Sequence, residues 1–405
     1  MALHSLFTGA IKPDTYELQI INSNIVRDAT KYPTGHLTSI KAPGQDGSDN
    51  AVTPIIPYNA GIGGYSYGAP TKLWYACWRM FDADRPAQNQ TWIFKSNIVH
   101  PTYARLEYLW RASGNYLELY GWLIGFASAT LLVSTASNPF PAANTWFLWV
   151  WEYDSVANTV TLYVNGTSVL QWAPASLGIT RIDFLSGGIR VPKGGGAPSV
   201  NSWECAGQVN DTSGSIDNVA PSFTALNPIF PATPTGNGDH TAWTGDYTDV
   251  DENPTAPDGD TTYIRSVTNG DKESVHVQDA AAAGFQTVEQ VGVAVQWRSE
   301  ALFPPNSLLM KEGANEVSLA SIVDGAAYSG RQLCRGKAPD GSAWTDALFN
   351  NTQVGVQQSG TNATRATNMV ALVRAVVAAA VGQPTMRRWG GVAHMGGSLT
   401  GRRSW

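Results

Sequence analysis

The sequence predicts an all-β protein with two β-sandwich, jelly-roll-like domains and an extended C-terminal arm. Runs of aromatic and β-branched residues are dense, and no long stretch keeps apolar residues at helical spacing. Gly and Pro punctuate the chain, with 40 Gly and 23 Pro among 405 residues. Because a single hydrophobic core stops growing beyond about 250–300 residues, two cores are expected.

Two aromatic runs predict buried central strands. Residues 73–81 (LWYACWRMF) and 146–153 (WFLWVWEY) are apolar almost throughout, as in strands that are covered on both faces. Two further runs, TVTLYV and TSVLQW, flank the dipeptide Asn165-Gly166. Asn-Gly between two such runs predicts a β-hairpin.

The stretch from the second aromatic run through TVTLYVNG resembles the concanavalin A-like, or laminin-G-like, jelly roll. The resemblance covers roughly residues 50–210 and implies adjacent strands of a curved sheet. Many members of that family bind glycans, so the resemblance implies a host glycan as one partner. We assign residues 1–219 to this domain, with an N-terminal extension.

The composition changes between residues 207 and 238, where Ser, Asn, Pro and Thr dominate. Such a segment predicts a linker or a surface crossing. We place a domain boundary near residue 220 and a second β-sandwich at 220–380.

The second domain resembles a β-sandwich of phage virion proteins. Its ordered motifs are GDHTAWT from Gly238, VDE from Val250, GDTTYI from Gly259, and a later WT and GV at Trp344 and Gly355. The resemblance covers roughly residues 235–378 and implies residence in a bacteriophage particle, because its motifs are structural. It implies no chemistry.

Residues 381–405 form a Gly-rich segment with four arginines and no acidic residue. Such a segment cannot build its own core, and we expect it to lie as an arm on a neighbouring subunit. The arginines could instead neutralise DNA phosphates, but four charges on an acidic chain favour a protein partner. The expected contact residues are Arg387, Arg388, Trp389, Arg402, Arg403 and Trp405.

Composition excludes several classes of partner. The formal net charge is -6, so neither nucleic acid nor a membrane is expected to bind the bulk of the chain. The longest apolar stretches are too short or too interrupted to span a bilayer. Cys77, Cys205 and Cys334 are widely separated, which predicts buried free thiols and not a disulfide framework. No signal peptide is apparent, so synthesis in the host cytoplasm is expected.

The search for catalytic groups gives one weak candidate. Residues 181–185 (RIDFL) are similar to the catalytic strand of laminarinase-type jelly rolls, but the flanking glutamates are missing. A glycosidase needs two carboxyl groups, so Asp183 is predicted to be a strand-end or turn residue. No nucleophile elbow, phosphate loop or Cys-His cluster occurs in the sequence. We predict that the protein is not an enzyme; a carbohydrate-active enzyme or its sugar-binding module is the alternative.

An acidic stretch has nearly the spacing of a calcium loop. Its candidate ligands are Asp249, Asp251, Asp258 and Asp260. Pro254 stands where the turn glycine is needed, and an aspartate replaces the final bidentate glutamate. A solvated acidic loop is therefore favoured, with calcium left open and no other cofactor expected.

The tryptophans have two readings, as core residues or as a sugar-stacking platform. Core is favoured for those within strands, and surface contact is predicted instead for Tyr65, Ser66, Tyr67 and Tyr116. The tryptophans considered are Trp74, Trp78, Trp110, Trp122, Trp146, Trp149, Trp151 and Trp172.

Together these patterns predict a non-catalytic virion structural protein in a tail fibre or another tail-associated position. We expect a homo-oligomer, with a trimer favoured, that contacts other virion proteins and a host glycan. Head decoration or a capsid fibre is the alternative position.

Overall fold

The computed structural model describes most of residues 3–377. Outside the described residues lie 1–2, 8–17, 21–25, 34–35, 37, 44–48, 55–57, 60–63, 85, 87–90, 127, 191–199, 213–220, 253–257, 259, 301–304, 323–326 and 378–405. The predicted arm, with its contact residues, falls in the last of these ranges. Its docking stays a prediction.

The described chain is almost entirely β-strand, which confirms the predicted all-β class. The first seventeen strands are β1 Leu3–Phe7, β2 Leu18–Ile20, β3 Val26–Asp28, β4 Ser39–Ala42, β5 Asp49–Pro54, β6 Tyr58–Asn59, β7 Gly64–Tyr65, β8 Lys72–Phe81, β9 Thr91–Val99, β10 Tyr103–Trp110, β11 Leu117–Leu123, β12 Ala129–Ser134, β13 Phe147–Asp154, β14 Thr159–Val164, β15 Thr167–Trp172, β16 Arg181–Arg190 and β17 Ser202–Asp211.

The next ten strands are β18 Ile229–Ala232, β19 Pro234–Thr241, β20 Ile264–Ser266, β21 Lys272–Val277, β22 Phe285–Ser299, β23 Pro305–Glu312, β24 Asn315–Ile322, β25 Ser329–Arg335, β26 Thr352–Gln358 and β27 Thr364–Val377. The helices are α1 Ala280–Ala283, α2 Asp346–Asn350 and a 3₁₀ turn, Tyr247–Asp249. No helix among the described residues is both long and apolar enough to cross a membrane.

The first sandwich pairs two antiparallel sheets. The first sheet has the order β15-β14-β13-β8-β17-β4-β3, with β1 beside β17, and the second sheet has the order β12-β11-β10-β9-β16-β5-β2. Aromatic rings fill the space between them: Phe94 of the second sheet lies 5.9 Å from Trp149 and 5.6 Å from Trp151 of the first. The predicted hairpin is confirmed, since Asn165 (φ 50°) and Gly166 (φ 80°) turn between β14 and β15.

The second sandwich also has two antiparallel sheets, β18-β27-β22-β25 with β20 beside β27, and β19-β21-β26-β23-β24. Its separate core includes the fully buried Trp297 and Phe349. Strands β22 and β27 contribute alternate valine and alanine side chains to this core. Their opposite faces are also buried, where Ala294, Val370 and Leu372 belong to another cluster.

The polar segment predicted as a linker is partly strand. Strand β17 continues to Asp211, and β18 and β19 occupy residues 229–232 and 234–241. Between them, Phe223 and Leu226 pack on the outer side of the first sheet. The indole N–H of Trp78 also donates to the Leu226 carbonyl at 2.8 Å. The described part of this crossing is therefore packed against the sandwich, and the domain division at residue 220 stays a prediction.

A joint connects the two sandwiches. Leu6 of β1 is buried with Ile229, Cys334 and Leu372, and the Gln332 amide accepts from the Leu6 N–H (3.0 Å) and donates to its carbonyl (2.9 Å). The Gln332 side chain thus pairs with the backbone of Leu6 as a neighbouring strand would. The contact ties the N-terminal strand to the second sandwich.

Arg374 is the polar centre of this joint. It is fully buried, and it donates to the carbonyls of Ala206 (3.1 Å) and Asn227 (2.7 Å) and to the Gln290 side chain (2.9 Å). Ala206 has a φ of 49°, an uncommon conformation for alanine, within a bulge of β17. Burial lowers the pKa of Arg374 to about 10, so the guanidinium stays charged at neutral pH.

The expectations for buried side chains are largely met. Cys77, Cys205 and Cys334 are free and buried, as predicted. Four of the eight tryptophans considered above are buried and four are partly exposed. The buried ones are Trp74, Trp110, Trp149 and Trp151; the partly exposed ones are Trp78, Trp122, Trp146 and Trp172.

Candidate functional site

The candidate site lies on the outer face of the second sheet, across β9, β10 and β11. Phe94, Tyr108 and Leu119 point into the core, so alternation places Lys95, Glu107 and Tyr120 on the opposite face. Trp92 joins that face because the β9–β10 ladder shifts between Phe94 and Trp92. We call this surface the aromatic face and define it by Trp92, Lys95, Arg105, Glu107, Tyr120 and Trp122.

Cross-strand register arranges these side chains in rows. Glu107 lies between Lys95 on β9 and Tyr120 on β11. Arg105 pairs in the same way with Trp122. Directly opposite residues on one face of a sheet lie within contact distance of each other. Residues far apart in the chain therefore form one continuous polar and aromatic patch.

Three partly exposed rings form the aromatic part of this face. The centroid of the Trp92 ring lies 5.7 Å from those of both Tyr120 and Trp122. The Arg105 guanidinium lies over one of these rings and one further ring, 5.5 Å from the Trp122 centroid and 4.4 Å from the Phe126 centroid. Ring–ring and cation–ring contacts hold the rings in fixed orientations.

The charged groups around the rings are paired with one another. Arg105 donates to Glu107 at 2.8 Å, and Arg111 donates to Glu118 at 2.5 Å and to the Tyr120 hydroxyl at 2.8 Å. Partial burial raises the pKa of Tyr120, so the phenol keeps its proton. The face therefore offers oriented donors and acceptors beside aromatic planes.

A small pocket of about 10 Å³, room for about one water molecule, opens at one side of this face, where β9 meets β16. The ladder between these strands shifts between Ser186 and Arg190, and Gly188 there has a φ of 86°, a conformation that favours glycine. The pocket is lined by Trp92, Ile93, Phe94, Lys95, Glu107, Ser186, Gly187, Gly188 and Ile189.

A buried ion pair holds this bulge from the core side. Arg79 and Glu204 are 0% and 1% exposed and lie 3.3 Å apart. Arg79 donates to the Gly188 carbonyl at 2.6 Å, and Glu204 accepts from the Gly188 N–H at 2.8 Å and from the Tyr75 hydroxyl at 2.7 Å. A Cβ at Gly187 would lie 2.4 Å from the Glu204 carboxylate. The Arg79–Glu204 ion pair therefore holds the Gly188 backbone in place from the core side of the pocket.

The remaining sequence-predicted site residues are spread over the molecule. Asp183 is the third residue of β16, and Arg181 donates to both of its carboxylate oxygens, at 2.5 and 3.0 Å. Tyr67 was predicted to make surface contacts, but it is 4% exposed and belongs to the first core. Tyr116 is partly exposed. The side chain of Tyr65 lies outside the described residues.

Sequence reasoning missed Trp92, which is central to the aromatic face. Strict alternation along Thr91-Trp92-Ile93-Phe94-Lys95 would have placed Trp92 on the core face with Phe94. Trp92 lies outside because the β9–β10 ladder shifts between Phe94 and Trp92, and no local pattern in the sequence signals that shift.

The four calcium candidates have separate partners. Asp249 accepts from the Asp246 N–H (3.0 Å), Asp258 accepts from the Thr262 hydroxyl (3.1 Å), and Asp251 is partly buried. Asp260 accepts from Arg298 (2.8 Å), Arg365 (3.0 Å) and Tyr328 (2.9 Å). Among the described residues, which exclude 253–257 and 259, no group of three or more His, Cys, Asp or Glu side chains could hold a metal ion. Calcium binding stays a prediction.

Glu252, which was not among the predicted ligands, anchors the same loop. Glu252 accepts from the hydroxyls of Thr262 (2.8 Å) and Thr367 (3.0 Å) and from the Asp258 N–H (2.8 Å). Burial, followed by the hydrogen bond to the Asp258 carboxyl, raises the pKa of Glu252 to about 7. The loop is therefore joined to β27 through a carboxyl group that is protonated in mildly acidic solution.

This arrangement predicts a pH-dependent contribution to stability. A pKa raised from 4.5 to about 7 means that the stabilisation is full below about pH 4.5 and is lost as the pH rises through 7. Glu252→Gln mimics the protonated carboxyl. We expect the variant to match the wild type at pH 5 and to exceed it at pH 8 by about 1 kcal/mol in unfolding free energy, after discounting for solvent screening.

Urea unfolding at the two pH values measures this difference. Glu312→Gln, on a carboxylate of β23 outside this loop, is the control and should show no comparable pH-dependent gain. If Glu252→Gln and the wild type were equally stable at pH 8, Glu252 would not be the group that causes the pH-dependent loss of stability.

Neither a protein-family model nor a curated protein sequence matches the chain. Solved structures similar to it include the botulinum neurotoxin serotype D/C binding domain, at 10% identity over 93% of this chain and 95% of that chain, with a TM-score of 0.33. A structure of botulinum neurotoxin type C, whose cell entry is described as dependent on interaction with two ganglioside molecules, matches at 9% identity over 92% of this chain and 94% of that chain, with a TM-score of 0.34.

The serotype D ligand-binding domain in complex with N-acetylneuraminic acid matches at 11% identity over 79% of this chain and 80% of that chain, with a TM-score of 0.33. A likeness at this level carries no inference about what this chain binds. The site is therefore judged from its own residues.

Proposed function

We propose that the protein is a non-catalytic structural component of a bacteriophage particle whose first sandwich contacts a glycan on the host surface. The observation that carries the glycan contact is the aromatic face, with its rings and paired charges beside a pocket. The resemblance of residues 235–378 to phage virion sandwiches supports the placement in a particle, and we favour a tail fibre or tail-associated position in a trimer.

The chemistry of the aromatic face suits a sugar ring. The C–H face of a pyranose packs against an indole plane, and its hydroxyls need donors and acceptors at the edge of that plane. Trp92 supplies the plane beside the pocket, and Lys95 and Glu107 are polar residues of its lining. The carboxylates Glu107 and Glu118 are each paired with an arginine. Their side chains are 0% and 6% exposed, so we assign these carboxylates to holding Arg105 and Arg111 in place and not to acid–base catalysis.

Assembly into a trimer would present three such faces to one cell surface. Each contact can then be weak, because linked sites raise the effective concentration for the second and third binding events. This arrangement suits a protein that must hold a particle on a repetitive polysaccharide.

Replacing Trp92 by alanine tests the site directly. We expect binding to a responsive glycan to weaken about tenfold or more, since loss of one buried aromatic contact costs about 1.5–3 kcal/mol. A glycan microarray followed by titration calorimetry on the strongest ligand gives the affinity. Trp122→Ala should weaken binding in the same direction.

Trp172→Ala is the matched control, because Trp172 is a partly exposed tryptophan on β15 of the other sheet. It should bind glycan like the wild type. A folded Trp92→Ala variant with wild-type affinity for every glycan that the protein binds would exclude the aromatic face as the site.

A further inference from the structure

The second sandwich has an open groove at an edge strand. Strand β19 ends its sheet and pairs only with β21 among the described strands. The ladder between them is interrupted between Asn237 and Thr241. Beside this interruption lies an open groove of about 370 Å³, which we call the edge groove. It is lined by Asp239, His240, Thr241, Ala242, Gly270, Asp271 and Lys272.

The surroundings of the edge groove carry an excess of negative charge. Both lysines near the groove are already paired with carboxylates: Lys272 lies 2.5 Å from Glu316, and Lys311 contacts Asp239. His240 also lies 2.7 Å from Glu316. The carboxylate of Asp271 accepts from the Ser266 hydroxyl at 2.8 Å.

Further carboxylates lie next to the groove on the 3₁₀ turn. Tyr247 donates its N–H to the Asn237 side chain of β19 at 2.8 Å, which places the turn against the edge strand. After burial, the charges of Asp246 and Asp249 contribute to the raised pKa of Asp251. These carboxylates are close enough to repel one another, so a cationic ligand would relieve the repulsion.

The backbone of β19 can also accept a further strand. Its residues alternate in exposure, with Thr235, Asn237, Asp239 and Thr241 exposed. An edge strand presents unpaired N–H and C=O groups, which an extended segment from another chain can pair with. The edge groove thus combines a strand edge, a cavity and negative charge.

The chain itself contains a segment of matching chemistry. Residues 382–405 carry Arg387, Arg388, Arg402 and Arg403, without an acidic residue, and Trp389 follows the first arginine pair. Strand β27 ends at Val377, where it pairs with Phe285.

We propose that residues 382–405 of a second copy of this chain dock on the edge groove, with Arg387 and Arg388 against Asp239 and Asp271 and with Trp389 in the cavity. The choice of a second copy rests on the proposed role in particle assembly. An arm of one subunit in a groove of the next is a head-to-tail contact, and such contacts form a ring where the rotation between subunits closes. A ring of three agrees with the favoured trimer.

Charge reversal in the full-length chain tests this docking. Arg387→Glu with Arg388→Glu reverses the arm, and Asp239→Lys with Asp271→Lys reverses the groove. We expect each variant alone to show at least a tenfold rise in the dissociation constant for self-association, measured by light scattering across a concentration series. Association of the wild type should weaken as salt rises, because exposed charges are screened.

An equal mixture of the two variants is the decisive sample. The positive arm of the groove-reversed variant fits the negative groove of the arm-reversed variant. The negative arm of the arm-reversed variant fits the positive groove of the other. The mixture should therefore associate again. Should Asp239→Lys with Asp271→Lys fail to fold, the neutral pair Asp239→Asn with Asp271→Asn keeps the test available, with a smaller rise in dissociation constant.

Three outcomes overturn the proposal: a wild type that is monomeric at all concentrations, an arm-reversed variant that associates like the wild type, and a mixture that stays monomeric. Glycan binding by the same variants is measured separately, so failure of the docking and failure of the proposed function give different results.

Discussion

Replacing Arg79 by methionine is expected to lower the free energy of unfolding by about 3–5 kcal/mol, because a charged Glu204 is left inside the first core without its ion-pair partner. Arg79 also donates to the carbonyls of Ile93 (2.7 Å) and Gly188 (2.6 Å), and those acceptors lose a charged donor. Urea unfolding followed by tryptophan fluorescence measures the loss.

A second substitution separates the ion pair from general damage to the core. Arg79→Met with Glu204→Leu should recover part of the lost stability, since no unpaired charge remains. Arg181→Met is the control, because its pair with Asp183 is 38% and 31% exposed and such pairs contribute at most about 1 kcal/mol. A loss below that value for Arg79→Met would contradict the role given to the buried pair.

Replacing Arg374 by methionine is expected to uncouple the two sandwiches. The variant leaves two buried carbonyls, of Ala206 and Asn227, without their charged donor, and each such bond contributes about 1.5–3 kcal/mol. We expect the thermal unfolding of the wild type to be one transition and that of the variant to split into two, with the first at lower temperature. Differential scanning calorimetry shows the difference.

Arg365→Met is the control for this substitution. Arg365 lies on the same strand, but its partners Asp260 and Glu300 are 50% and 28% exposed, so one transition should remain. A single transition at the wild-type temperature in Arg374→Met would show that the joint does not depend on this guanidinium.

The strands were predictable because their signals are local. Alternation and aromatic runs identified β8, β13, β14 and β15, and the Asn165-Gly166 dipeptide identified the turn between the last two. The polar run at 207–211 was read as linker because its residues are hydrophilic. It is strand because neighbours satisfy its polar groups: Gln208 donates to Asn210 at 3.2 Å within the sheet, and both side chains are buried.

The candidate site depends on pairings that no local pattern carries. Trp92, Glu107 and Tyr120 meet only because β9, β10 and β11 align in one register. The pocket then needs a bulge in β16, almost 100 residues after Trp92. In the acidic loop, by contrast, a local pattern misled. Its spacing resembled a set of calcium ligands, but Asp260 forms ion pairs with Arg298 and Arg365 from distant strands.

The most direct test of the central claim is a titration of the purified protein with surface polysaccharide from a host bacterium, followed by sizing of the polymer in the same sample. The account predicts saturable binding that Trp92→Ala weakens, with the length of the polymer unchanged. A shortened polymer, or no binding to any host polysaccharide, would contradict a non-catalytic glycan contact by this protein.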